Sequence, residues 1–201
     1  MSESVTIVDH RNEKSYDLQL FHGNIRAADL RQIKINPDDF GMMSYDPAYM
    51  NTSSCQSRVT YLDGDRGVLL YRGYPIEDLA EHCTFLEVAY LLLNGELPTY
   101  SEMKEWIGEI SHHMLIHENL KKFMDGFHHD AHPMGMLVST VAALSTFYPE
   151  SRNMKDPLVR HLQIVRLIAK MPSLVAYAYR HRQGLPYVYP DNDLSYVENF
   201  M

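Results

Sequence analysis

Histidines concentrate in one part of the sequence, where they could bind a metal ion. Six of the eleven histidines lie between residues 112 and 132, and the stretch FHHDAHPMGM at residues 127–136 places His128, His129 and His132 beside Asp130. Imidazole and carboxylate groups are ligands that zinc and iron accept in proteins. The residue types alone therefore raise the hypothesis of a metal centre.

The spacing of these residues argues against that hypothesis. A ligand set needs the i, i+4 spacing of one helix face or the convergence of separate segments. Two pairs have that spacing, His113 with His117 and His128 with His132. Pro133, however, favours an extended or capping conformation for His132. We therefore predict that the chain holds no metal and that the cluster marks a helix junction.

Other catalytic motifs are missing from the sequence. No GxGxxG, Walker or GxSxG pattern occurs, and the carboxylate pairs in DGD at residues 63–65 and DND at residues 191–193 lie where turn chemistry explains them. Cys55 has no histidine nearby in the sequence, and we interpret it as a buried thiol rather than a nucleophile. Spacing alone therefore assigns no catalytic or cofactor-binding residue.

Composition excludes further classes of function. The 201 residues hold 18 Lys+Arg against 26 Asp+Glu, a formal net charge of −8, so nucleic acid and anionic membranes are not expected as partners. Only Cys55 and Cys83 are present, without a CxxC motif or a secretory pattern, which predicts a reducing, cytoplasmic location. This length suits one domain with a small extension.

A change of periodicity near residue 50 divides the chain. SVTIVDH at residues 4–10 and SYDLQLF at residues 15–21 alternate apolar with polar side chains, which predicts two strands. RVTYLDGDRGVLLYRG at residues 58–73 predicts another hairpin around its central turn. We predict a small β unit over residues 1–50 and a mainly α domain over residues 51–201.

Capping signals predict the first helices of that domain. Thr84 with Glu87, and Thr99 with Glu102, are capping boxes, and Asn94-Gly95 ends the first helix. The second helix is predicted to bury one stripe at helical spacing. The stripe consists of Met103, Trp106, Ile107, Ile110 and Met114.

Prolines predict where the later helices begin. Pro133 suits the first turn of an apolar helix over residues 133–148, which is shorter than the roughly 20 residues that a membrane span needs. Another helix is predicted over residues 157–170. Pro172 is predicted to start a separate helix that ends near Gly184.

Four blocks of sequence carry a resemblance to a known family. They are YLDGDRGVLLYRGYPIEDLA, FLEVAYLLLNGELPT, DAHPMGMLVSTVAALSTFYP and AKMPSLVAYAYRHRQGLPYVYPDNDLSYVENFM. In order and spacing they resemble citrate synthases, and the N-terminal β unit resembles the bacterial, hexameric, NADH-sensitive branch. The resemblance implies part of the multi-helical large domain, a homo-oligomer and no metal.

The resemblance also implies a reaction. Citrate synthases condense acetyl-CoA with oxaloacetate by means of an aspartate base, two histidines and carboxylate-binding arginines. In the family these residues follow the DLSYVENFM block, which here ends at Met201, so the chain is expected to be inactive by itself. Two alternatives are a structural or oligomerisation module without chemistry, and a methylcitrate synthase that uses propionyl-CoA.

An allosteric NADH site is the last implication of the resemblance. It implies that residues 112–115 lie on one helix and that the other positions come from other helices, and the positions that agree with the family pattern are His113, Tyr148, Arg166 and Lys170. His112 stands where the family has an arginine, and Met114 where it has a threonine. Because a guanidinium suits phosphate, its loss predicts weaker NADH binding. The alternative is that Arg166 and Lys170 form only a solvated basic face.

Overall fold

The computed structural model describes residues 3–201, and the chain divides into two units, Met1–Arg58 and Val59–Met201. The mainly helical fold class that the sequence predicts is confirmed, because the helices lie in the second unit and the first contains a small sheet. The domain boundary near residue 50 remains a prediction.

The first unit contains the two predicted strands. β1 (Ser4–Asp9) pairs antiparallel with β2 (Lys14–Phe21), and a short β3 (Asn24–Ile25) extends the sheet. Leu18 and Ile33, each 1% exposed, are its buried apolar residues. Gly41 has a φ of 97°, and a Cβ there would overlap the carbonyl group of Arg31, so this turn requires glycine.

The second unit begins with the predicted hairpin. β4 (Thr60–Asp63) and β5 (Val68–Tyr71) pair antiparallel, and β6 (Tyr74–Pro75) adds a third strand. The carboxylate of Asp63 accepts a hydrogen bond of 3.1 Å from the backbone N–H of Arg66. Asp63 therefore has the turn role that the sequence predicts.

Seven α-helices follow this hairpin in the described part of the chain. They are α1 (Ile76–His82), α2 (Phe85–Asn94), α3 (Tyr100–His112), α4 (Glu118–Asp125), α5 (Pro133–Leu144), α6 (Pro157–Arg182) and α7 (Tyr196–Phe200). Among residues 3–201, no helix combines the length and apolar character that crossing a bilayer requires.

Both predicted capping boxes are present. The backbone N–H of Thr84 donates to the Glu87 carboxylate at 2.6 Å, and that of Thr99 donates to Glu102 at 2.8 Å. Gly95 ends α2 in the left-handed conformation, with a φ of 100°. These helices begin and end as predicted because their signals lie within a few residues of the chain.

The stripe predicted for α3 is only partly correct. Trp106 and Ile110 are buried, and Met114 is buried although the helix has already ended at His112. Ile107 is 44% exposed, so its inclusion was wrong. The core partners of this face are Val165 and Ala169 of α6, and they cover a narrower strip than the periodicity predicts.

Helix α5 begins at Pro133 as predicted but ends at Leu144, four residues before the predicted end. The hydroxyl groups of Ser145 and Thr146 donate to the carbonyl oxygens of Ala142 and Ala143, at 2.8 Å and 2.7 Å. Such local bonds compete with the helical pattern. The chain therefore leaves the helix before Tyr148.

The two helices predicted on either side of Pro172 are one continuous helix, α6. The prediction was wrong because it assumed that an internal proline must separate helices. Pro172 has no N–H to donate to Ile168, four residues earlier, and the carbonyl oxygen of Ile168 instead accepts a hydrogen bond from the Tyr196 hydroxyl group at 2.9 Å. Tertiary structure thus compensates for the missing bond.

Candidate functional site

One face of α6 lines a cavity of about 290 Å³. Its residues have the i, i+3, i+4, i+7 spacing that puts side chains on one side of a helix: Gln163, Arg166, Leu167 and Lys170. The opposite wall comes from the end of α5 and the segment after it. This wall comprises Val141, Leu144, Ser145, Tyr148, Ser151 and Met154.

Lys170 is the most buried charged group of this cavity, at 3% exposure. Its Nζ donates to the backbone carbonyl oxygens of His113 and Leu115, both at 2.6 Å. Burial, and then the nearby Arg166 guanidinium, lowers the pKa of Lys170 from 10.5 to about 8. Because Lys170 is buried, it does not belong to a solvated basic face.

Arg166 lies between an aromatic ring and a carboxylate. Its guanidinium is 4.1 Å from the centroid of the Tyr148 ring and forms an ion pair with Glu150. The hydrogen bond from Arg166 lowers the pKa of Glu150, whereas burial raises the pKa of Tyr148. Arg166 is therefore held in place but already carries an anionic partner.

Gln163 is a member of this cavity that sequence reasoning missed. It is 8% exposed, and its Nε2 has no hydrogen-bond partner within residues 3–201. A buried amide without a partner costs roughly 1–3 kcal/mol. Its spacing could have identified it, because Gln163 lies one turn before Arg166 and two turns before Lys170, and these positions share a helix face.

The predicted NADH residues are partly brought together. Tyr148, Arg166 and Lys170 line the cavity, whereas His113 is outside its lining and contributes only its carbonyl oxygen to Lys170. The prediction that residues 112–115 share one helix was wrong, since α3 ends at His112 and His113 caps it. Met114 turns into the core, at 2% exposure.

The histidine cluster lies at a helix junction. The Nδ1 atom of His132 accepts a hydrogen bond of 3.2 Å from the N–H of Met134 and caps α5, and His117 caps α4 through Asn119 in the same way. His128 bonds Asp130. No group of three possible metal ligands occurs within residues 3–201.

Cys55 and the DND turn at residues 191–193 are the remaining residues whose types could do chemistry. Cys55 is exposed rather than buried, so that prediction was wrong; residues 52–57 form no helix or strand that could cover the thiol. The carboxylate of Asp191 accepts a hydrogen bond of 3.0 Å from the N–H of Asp193. Asp191 therefore has the turn role that the sequence predicts.

Sequence comparison identifies the family. The profile described as "Citrate synthase, C-terminal domain" matches residues 48–201. The chain belongs to the citrate synthase family. It is 49% identical to a citrate synthase of Dictyostelium discoideum, over 98% of this chain and 40% of that protein.

Solved structures of citrate synthases have the same fold. The enzyme from Pyrobaculum aerophilum superposes with a TM-score of 0.71 and 29% identity, over 83% of this chain and 45% of that one. A ternary complex of the Thermoplasma acidophilum citrate synthase with carboxymethyl coenzyme A and oxaloacetate gives a TM-score of 0.66 and 25% identity, over 75% of this chain and 39% of that one. The chain thus spans less than half the length of each protein.

Proposed function

We propose that this chain is the N-terminal portion of a citrate synthase that condenses acetyl-CoA with oxaloacetate to citrate and CoA. The family match over residues 48–201 carries this proposal. The Thermoplasma relative supports the substrate class, because it binds carboxymethyl coenzyme A and oxaloacetate. The location that we propose is the cytoplasm.

In this proposal the 201 residues supply scaffold and regulation rather than chemistry. The reaction needs a placed base for the methyl proton and donors for the developing oxyanion. In the family, those groups belong to segments beyond the DLSYVENFM block. The histidines of residues 112–132 act here as caps and junction residues, with His117 and His132 each bonded to a backbone N–H.

The test compares the full-length protein with the 201-residue chain, both purified from a host that lacks its own citrate synthase. CoA release from acetyl-CoA and oxaloacetate is measured with a thiol reagent. We expect turnover by the full-length protein and none by the chain alone. No turnover by the full-length protein would refute the proposed activity, and a preference for propionyl-CoA would assign it to methylcitrate synthesis.

We also propose that the α6 cavity binds NADH and that NADH inhibits the enzyme. Two cationic side chains beside an aromatic ring suit a ligand with phosphates and flat rings. Arg166 and Lys170 lie 4.1 Å and 5.8 Å from the centroid of the Tyr148 ring. Calorimetry should show that Arg166→Met loses its affinity for NADH. The CoA-release assay should show that the same variant keeps its substrate turnover.

A homo-oligomer, a hexamer by resemblance, is the assembly that we propose. Exposed apolar side chains on α5 support it, since Met134 is 57% exposed and Val138 is 64% exposed, and neighbouring subunits commonly cover such side chains. Sedimentation velocity of the full-length protein tests this assembly. A monomer at micromolar concentration would contradict it.

A further inference from the structure

The two cations of the α6 cavity carry more positive charge than the surrounding chain balances. Lys170 is buried, and among residues 3–201 its ammonium group bonds two neutral carbonyl oxygens and no carboxylate. Glu150 pairs with Arg166 and so balances one of the two charges. Buried charges in proteins are normally paired. The cavity therefore suits a ligand that brings one negative charge.

Arg166 has hydrogen-bond donors left for that anion. Its side chain is 19% exposed, and within residues 3–201 its guanidinium group donates only to Glu150. A guanidinium group has several N–H groups in its plane and binds a carboxylate through two of them. Its stacking on the ring of Tyr148 uses the face of the group and not that plane. A carboxylate is therefore an anion that this side chain can hold.

The remaining walls of the cavity are mainly apolar and reach solvent. Val141, Leu144, Met154 and Leu167 belong to them. Met154 and Leu167 are 47% and 43% exposed, whereas Leu144 is buried, so the apolar surface runs from the opening into the interior. Each methylene group that leaves water against such a surface stabilises the complex. The walls therefore favour a hydrocarbon chain on the ligand.

The volume of the cavity limits the length of that chain. A space of about 290 Å³ has room for roughly ten atoms of the size of a water oxygen, at about 30 Å³ each. Octanoate is a carboxylate of this size. A whole dinucleotide is several times larger and would lie mostly outside the cavity.

We propose that the α6 cavity binds a soluble aliphatic monocarboxylate of about six to eight carbons, with its carboxylate on Arg166 and its chain against Leu144 and Leu167. This ligand class goes beyond the proposed NADH inhibition, because its recognition needs neither a phosphate nor a base. It uses the one charge that the chain leaves unbalanced and the apolar walls together. Since Arg166 lines the cavity, a monocarboxylate and NADH would exclude each other there.

The experiment measures dissociation constants by calorimetry on the full-length protein at pH 7, with octanoate, hexanoate, acetate and octanol as probes. Octanoate should bind at least about thirtyfold more tightly than acetate, which lacks the chain, and hexanoate should lie between them. It should bind about tenfold more tightly than octanol, which lacks the charge. Equal affinity for octanoate and either of these two probes would overturn the inference.

Two variants locate the ligand in the cavity. Arg166→Met should remove the preference for octanoate over octanol, whereas the control Arg160→Met, at an exposed position of the same helix, should retain it. Leu167→Ser should weaken the binding of octanoate more than that of acetate. A preference that survives Arg166→Met would place the carboxylate elsewhere and overturn the inference. Because the probe series uses the parent protein, it decides the question even if a variant fails to fold.

Competition with NADH separates this inference from the NADH proposal. Displacement of NADH by octanoate would support both. Binding of octanoate without binding of NADH would support the inference and refute the dinucleotide. Binding of NADH without binding of octanoate, or binding of both without competition, would overturn the inference and leave the NADH site intact. Failure of both ligands to bind would refute both.

Discussion

The hydroxyl group of Tyr196 donates a hydrogen bond of 2.9 Å to the carbonyl oxygen of Ile168. That oxygen is the one that Pro172 cannot serve, because proline lacks the N–H of an ordinary helical residue. The ring of Tyr196 also stacks on Phe85, with centroids 5.1 Å apart, and burial raises its pKa to about 12. Helix α7 thereby supports the middle of α6.

Removing this hydroxyl group should destabilise the helical unit. We expect Tyr196→Phe, which keeps the stacked ring, to lower the free energy of unfolding by about 1–2 kcal/mol. In a Pro172→Ala background the new N–H can serve Ile168, so the same change should cost less than about 0.5 kcal/mol. Denaturant unfolding followed by the fluorescence of Trp106, the single tryptophan, gives both values. Additive effects would contradict the compensation.

Lys170 should make stability depend on pH. Because its pKa is lowered to about 8 in the folded state, the unfolded chain binds more protons above that pH. The free energy of unfolding, relative to Lys170→Met, should therefore rise between about pH 8 and pH 10, by at most about 3 kcal/mol. The measurement is denaturant unfolding at several pH values. A flat or falling difference would show that the folded-state pKa of Lys170 is not lowered.

Glu150 should compete with a bound anion for Arg166, with which it forms an ion pair. We expect Glu150→Gln to tighten NADH binding by roughly threefold to fivefold, since the guanidinium no longer has an internal anionic partner. Glu118→Gln, at an acid paired with Lys121 instead, is the matched control and should leave the affinity unchanged. Weaker binding by Glu150→Gln would mean that Glu150 positions Arg166 rather than blocking it.

His112 should weaken the proposed NADH inhibition, because by the resemblance it stands where the NADH-sensitive branch has an arginine. Arginine is always charged and pairs with phosphate through two N–H groups, so we expect His112→Arg to lower the NADH concentration for half-inhibition by about threefold to tenfold. The control variant is His10→Arg, which adds the same charge in the first unit. Equal gains from both variants would indicate a non-specific effect of charge.

His132 should act as a cap and not as a metal ligand. Replacement by alanine removes the acceptor for the Met134 N–H and should cost about 1 kcal/mol of stability, whereas His132→Asn retains a capping group and most of the stability. Metal analysis of the desalted protein accompanies the unfolding measurement. Near-stoichiometric zinc or iron that is lost in a His128→Ala, His132→Ala double variant would refute this assignment.

Sequence alone determined the elements whose signals are local. The capping boxes at Thr84 and Thr99, the start of α5 at Pro133 and the hairpin turn at Asp63 are each set by hydrogen bonds or dihedral restrictions within about four residues. The resemblance of longer blocks likewise identified the family. Such features need no knowledge of what packs against them.

Tertiary structure decided the conformation and burial of residues for which local rules and long-range contacts disagree. Pro172 lies inside a continuous helix because Tyr196, 28 residues after Ile168, supplies the donor. Ile107 lies outside the strip that α6 covers, and Cys55 lies in a stretch without regular structure. A periodic pattern predicts that a face is apolar, but the width of its partner decides which of its residues are buried.

The candidate site shows the same division between sequence and structure. Tyr148, Arg166 and Lys170 could be named from the family resemblance, but the sequence does not contain the partners that give each its properties. The carbonyl oxygens that hold Lys170 lie 57 and 55 residues earlier, and the carboxylate on Arg166 lies 16 residues earlier. Burial and the lack of a partner distinguish Gln163 from an ordinary surface glutamine. The burial of Gln163 and its lack of a partner depend on atoms that the packing of α5 against α6 brings near. Hydrogen bonding and desolvation act through distance in space rather than along the chain.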